Sequence, residues 1–263
     1  VVYAEAQKTQ PWKQWAEDGA RQMVESGTTA AADIVTDLDA AGALASQGMH
    51  GIAYWEVMGW HNAEWMEKGR TELIRQLRRM NEEQLPNLGI SPHAPYTLES
   101  EPFVDLPDIA RQLNMRLHIH LAETPLEAGT YPPVLTTYSA ADWSDHDWES
   151  YRQLKEVGKG ASAIQFVDQL GSLGPDVHIA HGVWANGEDR RILRQRGVGV
   201  ALCPRSNRIT NTGKDAPVRE YLEEGNLVSV GTDSLSSTPT LDLLDDVSML
   251  YDLAREQGYA SDD

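Results

Sequence analysis

The chain has 263 residues, 22 Lys plus Arg against 40 Asp plus Glu, a formal charge of −18 and one cysteine, Cys203. That length buries a substantial core without metal or disulfide staples, and the acidic balance is the reverse of one that gathers phosphates, so no nucleic-acid partner is expected. A lone cysteine permits no internal disulfide, and no apolar run approaches the ~20 residues of a membrane-spanning helix, so no membrane partner is expected and the cytoplasm is the expected compartment.

Short β-branched runs alternate with longer segments of helical period, which is the pattern of a parallel α/β protein. A helical face of Trp12, Trp15, Ala16 and Met23 comes first. Strands over 28–35 and 52–57 follow, then a helix with Leu73, Ile74 and Leu77 on one face, then strands over 88–91 and 117–122. The segment 124–151 carries Pro125, Pro132, Pro133, Trp143, His146 and Trp148, breaks the rhythm, and reads as a loop or lid over one end. Beyond it, Ile164, Val167 and Leu170 share a helical face, and strands are expected over 177–180, 198–202 and 228–231, with Val218, Tyr221 and Leu222 on a helix between the last two. Asn186 is placed to cap a helix whose first turn holds Glu188 and Asp189, and Gly171, Gly197 and Gly225 fit helix-ending turns. Repeated βα units close into an eight-stranded barrel or lie in an open doubly wound sheet, and composition does not choose between them.

Residue types suited to ligation and acid–base work recur just after the strands: Glu56, His93, His120 with Glu123, His181, Asn207 and Asp233. In a parallel barrel every strand's carboxyl end emerges on one face, so such residues converge on one cavity. Within 116–123 the period of two sends Leu117, Ile119 and Leu121 one way and His118 and His120 the other, toward the barrel interior. His120, His181 and Asp233 together offer two imidazoles and a carboxylate, a set that suits a divalent ion such as zinc and a water whose pKa falls toward ~7. The alternative for each histidine is a structural role with both ring nitrogens satisfied by hydrogen bonds. Glu56 is open between a site residue and a solvated ion pair. His50, His61 and His146 read as surface residues, Cys203 as core packing, and Asp242, Asp245 and Asp246 as the solvated face of a helix.

Five stretches, Ser91-Pro92-His93-Ala94-Pro95-Tyr96, His118-Ile119-His120-Leu121-Ala122-Glu123-Thr124, Ala180-His181-Gly182, Cys203-Pro204-Arg205-Ser206-Asn207 and Gly231-Thr232-Asp233-Ser234-Leu235, resemble in their order the amidohydrolase superfamily. The likeness is to its metal-dependent aminohydrolases, which deaminate purine-like rings. The resemblance implies a (β/α)8 TIM-type barrel accompanied by a small β-sandwich, with His120, His181 and Asp233 as ligands of one divalent ion, zinc or alternatively iron, and His118 as a supporting neighbour. It implies that Glu123 protonates the ring nitrogen, that Asp233 takes a proton from water, that His181 also holds the water or oxyanion, and that His93, Glu123 and Asn207 meet the substrate, with Ser206 and Asn207 organising their loop. The activity implied is hydrolytic deamination of an aminated purine-like nucleoside or related heterocycle, with guanine deamination or triazine dechlorination as alternatives. A small heterocyclic substrate is then the partner, and homo-oligomers are expected. Family members carry a His-x-His pair on the first barrel strand, yet none precedes Thr28 and the strand-like runs number one short of eight. The expectation is therefore that 1–263 is a barrel fragment without its first strand and sandwich; a catalytically inactive barrel that at most binds a ligand is the reading from a different class.

Overall fold

The computed structural model describes residues 11–82, 85, 87–129, 154 and 157–260. Seven strands, β1 (Ala30–Val35), β2 (His50–Val57), β3 (Leu88–Pro92), β4 (Arg116–Leu121), β5 (Val177–His181), β6 (Gly199–Leu202) and β7 (Leu227–Val230), form one sheet in sequence order. Every neighbouring pair is parallel. Parallel neighbours need a crossover between them, and helices supply it: Arg70–Glu82 behind a π-helical turn at Trp65–Gly69, Ser100–Gln112, Ala163–Gln169, Gly187–Arg196 and Val218–Glu223. The strands lie within two residues of their expected bounds because β-branched runs bounded by turn residues leave little choice of conformation.

The sheet curls, and its two faces differ. Register pairs Ile90 with Leu117 and Leu117 with Val177, and likewise Ile119 with Ile179 and Ile179 with Val200. These side chains are buried and face the helical layer, where Phe103, Leu106, Phe166, Val167, Leu193 and Tyr221 are buried with them. Each fully buried side chain of this size contributes roughly 1.5–3 kcal/mol. The other face lines the inside of the curl and is polar: His118 pairs in register with His178, and the Tyr54 ring reaches across from β2 to lie 5.4 Å from the His118 ring. Gly89, between them, has to be glycine, since a Cβ there would collide with the Tyr54 ring. The curl brings the first helix, Trp12–Glu25, against the chain leading into the last, Leu243–Glu256, at Gly19 and Leu241. Among the described residues the sheet does not close: β1 and β7 each have one unpaired edge.

Local signals act as expected at several ends. Asn186 Oδ1 accepts from the N–H groups of Glu188 and Asp189 at 2.9 and 3.0 Å, and Gly171, Gly197 and Gly225 all have positive φ. The expected faces hold less well where the helices are exposed, as at Trp15 and Leu222. The acidic cluster corrects one expectation. Asp246 is fully buried, because Arg205 Nη2 and Nε donate to its Oδ2 at 2.7 and 2.9 Å while Arg205 also reaches Asp245. Asp242 caps the last helix by accepting from Leu244 N–H. Of the expected lid, 124–129 contains a 3-10 turn, Pro125–Glu127, with all three residues buried; 130–151, with Pro132, Pro133, Trp143, His146 and Trp148, lies outside the described residues. Among the described residues no helix is long and apolar enough to cross a membrane.

Candidate active site

The strand ends of β4, β5 and β7 share an uncommon conformation. Ala122, His181 and Asp233 have φ of 53°, 74° and 60°, a left-handed backbone that costs roughly 1–2 kcal/mol for a non-glycine residue. It turns the chain sharply as it leaves the sheet, so that His120, Glu123 and His181 stand together at the carboxyl face, with Asp233 at the end of β7 held by Ser206 and Ser237.

His120 Nδ1 and His181 Nε2 face each other at 3.0 Å. Without a cation the two nitrogens share a proton; around a tetrahedral ion with metal–nitrogen bonds of about 2.1 Å they would be about 3.4 Å apart, so a shift of a few tenths of an ångström suffices. On its other side the His181 ring donates from Nδ1 to Asn207 Oδ1 at 2.9 Å, which fixes the tautomer with the Nε2 lone pair toward His120. Asn207 Nδ2 is buried without a hydrogen-bond partner. Burial, followed by the neighbouring histidines, lowers His120 well below the ordinary range. Burial and then His181 lower His93 to about 4, and burial and then His178 lower His118 to about 3. These rings are neutral at pH 7, the form in which imidazole binds a metal.

Glu123 Oε1 lies 3.9 Å from His181 Nε2, and Glu123 Oε2 accepts from the Tyr96 hydroxyl at 3.0 Å. Asp233 Oδ2 accepts from Ser206 Oγ at 2.6 Å and Ser237 Oγ at 2.9 Å. His93 joins its Nδ1 to Thr97 Oγ1 at 2.9 Å, and its Nε2 lies 3.9 Å from Glu56 Oε1. Glu56, His93 and His120 each offer a donor atom, and these atoms lie within 4.8 Å of one another; of the expected ligands, His181 and Asp233 are outside that group. Burial pushes the Glu56 carboxyl up to about 7. The described residues therefore contain a donor pair, His120 with His181, and a donor triad sharing His120; either fits a divalent cation by its chemistry. A cavity of about 280 Å³ adjoins Glu56, lined among others by Trp55, Met58, Trp60 and Gln76. Cys203 is buried, and burial with Asp233 nearby pushes its thiol up, so it is inert as a nucleophile.

Two residues beside the expected ones touch the site. Tyr96 stands at the end of a quoted motif, and Glu127, fully buried, accepts from three consecutive backbone N–H groups, Ala122, Glu123 and Thr124, at 3.0, 2.9 and 2.9 Å. The signal for Glu127 was local: Thr124 followed three residues later by a glutamate is the spacing of a capping box.

The family model described as Amidohydrolase family matches residues 8–130 and 136–263. A 5-methylthioadenosine/S-adenosylhomocysteine deaminase of Thermococcus kodakarensis is 30% identical over 235 residues, which is 88% of this chain and 49% of that protein. A 5'-deoxyadenosine deaminase of Methanopyrus kandleri is 30% identical over 234 residues, 88% of this chain and 48% of that protein. The chain thus spans about half the length of the curated relatives it matches. An adenosine deaminase from Xanthomonas campestris, solved with bound zinc, superposes with a TM-score of 0.69 at 22% identity, covering 93% of this chain and 52% of that one, a likeness of fold. With a barrel-type sheet, its strand-end histidines and carboxylates and the family match over nearly its whole length, the chain belongs to the amidohydrolase family.

Proposed function

We propose that the protein hydrolytically deaminates an aminated purine-like nucleoside, releasing ammonia, with a divalent ion, zinc, held by His120, His181 and Asp233. The observation that carries the reading is the facing of His120 Nδ1 and His181 Nε2 at 3.0 Å with Glu123 Oε1 3.9 Å from the same His181 nitrogen. The named activities of the relatives support the substrate class. When bound, the ion supplies Lewis acidity and an acidified water near neutral pH.

The residues divide the proton work. Water adds to the amino-bearing ring carbon, and the C–N bond to the amine breaks. Glu123, held at Oε2 by Tyr96, gives a proton to the adjacent ring nitrogen and takes one back from the added hydroxyl as the carbonyl forms and the amine leaves. Asp233, held by Ser206 and Ser237, accepts a proton from the water and returns it to the leaving amine. His93 and Asn207 line the substrate side, His93 oriented by Thr97.

Full-length protein with measured metal content, supplied with adenosine, 5'-deoxyadenosine, guanine and a chlorotriazine, tests the proposal by ammonia and chloride release. Ammonia from the adenosine-type nucleosides is expected. Chloride as the sole product, ammonia from guanine alone, or no turnover by metal-loaded protein would each overturn it, the last in favour of an inactive barrel.

A further inference from the structure

We infer that Glu127 is a positioning residue that sets where the Glu123 carboxylate stands; the inference rests on the proposed role of Glu123 as the acid. Glu127 is fully buried in the Pro125–Glu127 turn, and its carboxylate spans the bend at which the chain leaves β4. One oxygen accepts from Ala122 N–H at 3.0 Å, the other from Glu123 and Thr124 N–H at 2.9 Å each. Three successive N–H groups converging on one carboxyl group make a backbone nest, here filled from within the chain.

Capping the short turn explains one of these bonds, that to Thr124 N–H, and leaves the other two unexplained. The bond to Ala122 falls on the residue whose φ of 53° turns the chain out of the strand. The bond to Glu123 falls on the acid's own backbone. The Glu123 side chain is then held from the far side by the Tyr96 hydroxyl at 3.0 Å. Glu127 thus holds the backbone of the acid and Tyr96 its carboxylate, so the placement of Glu123 is determined at both ends. All three amides donate to the two oxygens of this one carboxyl group, so replacing either oxygen by a group that cannot accept takes away a bond that holds the bend.

Glu127→Gln tests this with little change of shape, because an amide nitrogen cannot accept and at least one of the three N–H groups loses its partner. Hydrogen exchange at the amides of Ala122, Glu123 and Thr124 is read alongside kcat and KM for the deaminated nucleoside, in full-length wild type, E127Q and E123Q. Exchange at the three amides is expected to quicken at least tenfold in E127Q and stay slow in E123Q. Because misplacing a reacting group by about 1 Å costs up to about 100-fold, kcat of E127Q should fall about 10- to 100-fold with KM within about threefold and metal content unchanged. Unchanged exchange in E127Q, or quickened exchange with wild-type kcat, would overturn the inference. Wild-type turnover by E123Q would sink the role of Glu123 instead, and is told apart because exchange at the three amides would still depend on Glu127. If E127Q does not accumulate folded, E127D, which keeps the charge but cannot reach all three amides, gives the same comparison.

Discussion

Asn207→Ala isolates one hydrogen bond with a calculable effect. His181 is 2% exposed, and Asn207 Oδ1, 2.9 Å from its Nδ1, keeps the proton there and the Nε2 lone pair toward His120. Alanine leaves a buried N–H without an acceptor, at a cost of about 1–3 kcal/mol. The ring can relieve that cost by moving its proton to Nε2, where it blocks ligation. In either case the bound ion weakens: loss of a residue that orients a ligating histidine typically lowers metal affinity about 10- to 100-fold, or about 1.4–2.8 kcal/mol. Metal-free protein titrated with zinc against a chelator of known affinity measures this term, and thermal melting in excess chelator measures the loss of the hydrogen bond alone. Asn207→Asp, which keeps the acceptor, should hold the affinity. Zinc affinity of N207A within twofold of wild type would refute the assignment of His181 as an oriented ligand.

The donor pair and the donor triad make different demands on mutants. His120→Ala should abolish binding of the ion in both, whereas His181→Ala should lower bound zinc and Glu56→Gln should not; the converse result by elemental analysis would move the ion to Glu56, His93 and His120. Asp246→Ala leaves the Arg205 guanidinium, whose side chain is 12% exposed, without its buried partner. A loss of about 3 kcal/mol is expected, the lower end of the usual range because Asp245 remains, and a denaturant midpoint equivalent to under 1 kcal/mol would contradict it. Asp33 gives a pH-dependent case. Burial raises its carboxyl from 3.8 to about 6, so ionised Asp33 opposes folding, and its penalty grows as pH rises from about 4 to about 6. Asp33→Asn should match wild type near pH 4 and exceed it by up to about 3 kcal/mol above pH 7; an equal gain at both pH values would refute burial as the cause.

The strands were legible because they rest on short-range periodicity, and parallel connectivity then carries His120, Glu123 and His181 to one face. Glu56 could not be placed from sequence: a single carboxylate after a strand looks the same whether it meets water or His93, and only the curl of the sheet decides. Asp246 misled for a related reason. Its helical neighbours suggest an outer face, yet its partner Arg205 lies 41 positions away and is brought over it by the packing of two helices. Glu127 carried a local signature, but that signature describes one bond of the three. The bond from His181 to the Asn207 oxygen, a pairing across 26 positions, is one that no periodicity encodes.

The two margins of the sheet that are unpaired among the described residues carry a geometric consequence. β1 offers exposed Ala30 and Ala32 and β7 offers Leu227, 62% exposed, and both strands run in the same direction. A ladder completed between two molecules would therefore join the β7 side of one to the β1 side of the next, head to tail, leaving the same two margins at the ends of every growing chain. Such a contact has no twofold axis and does not terminate at a dimer. Pairing of both margins within one molecule would leave no edge on which such a chain could grow.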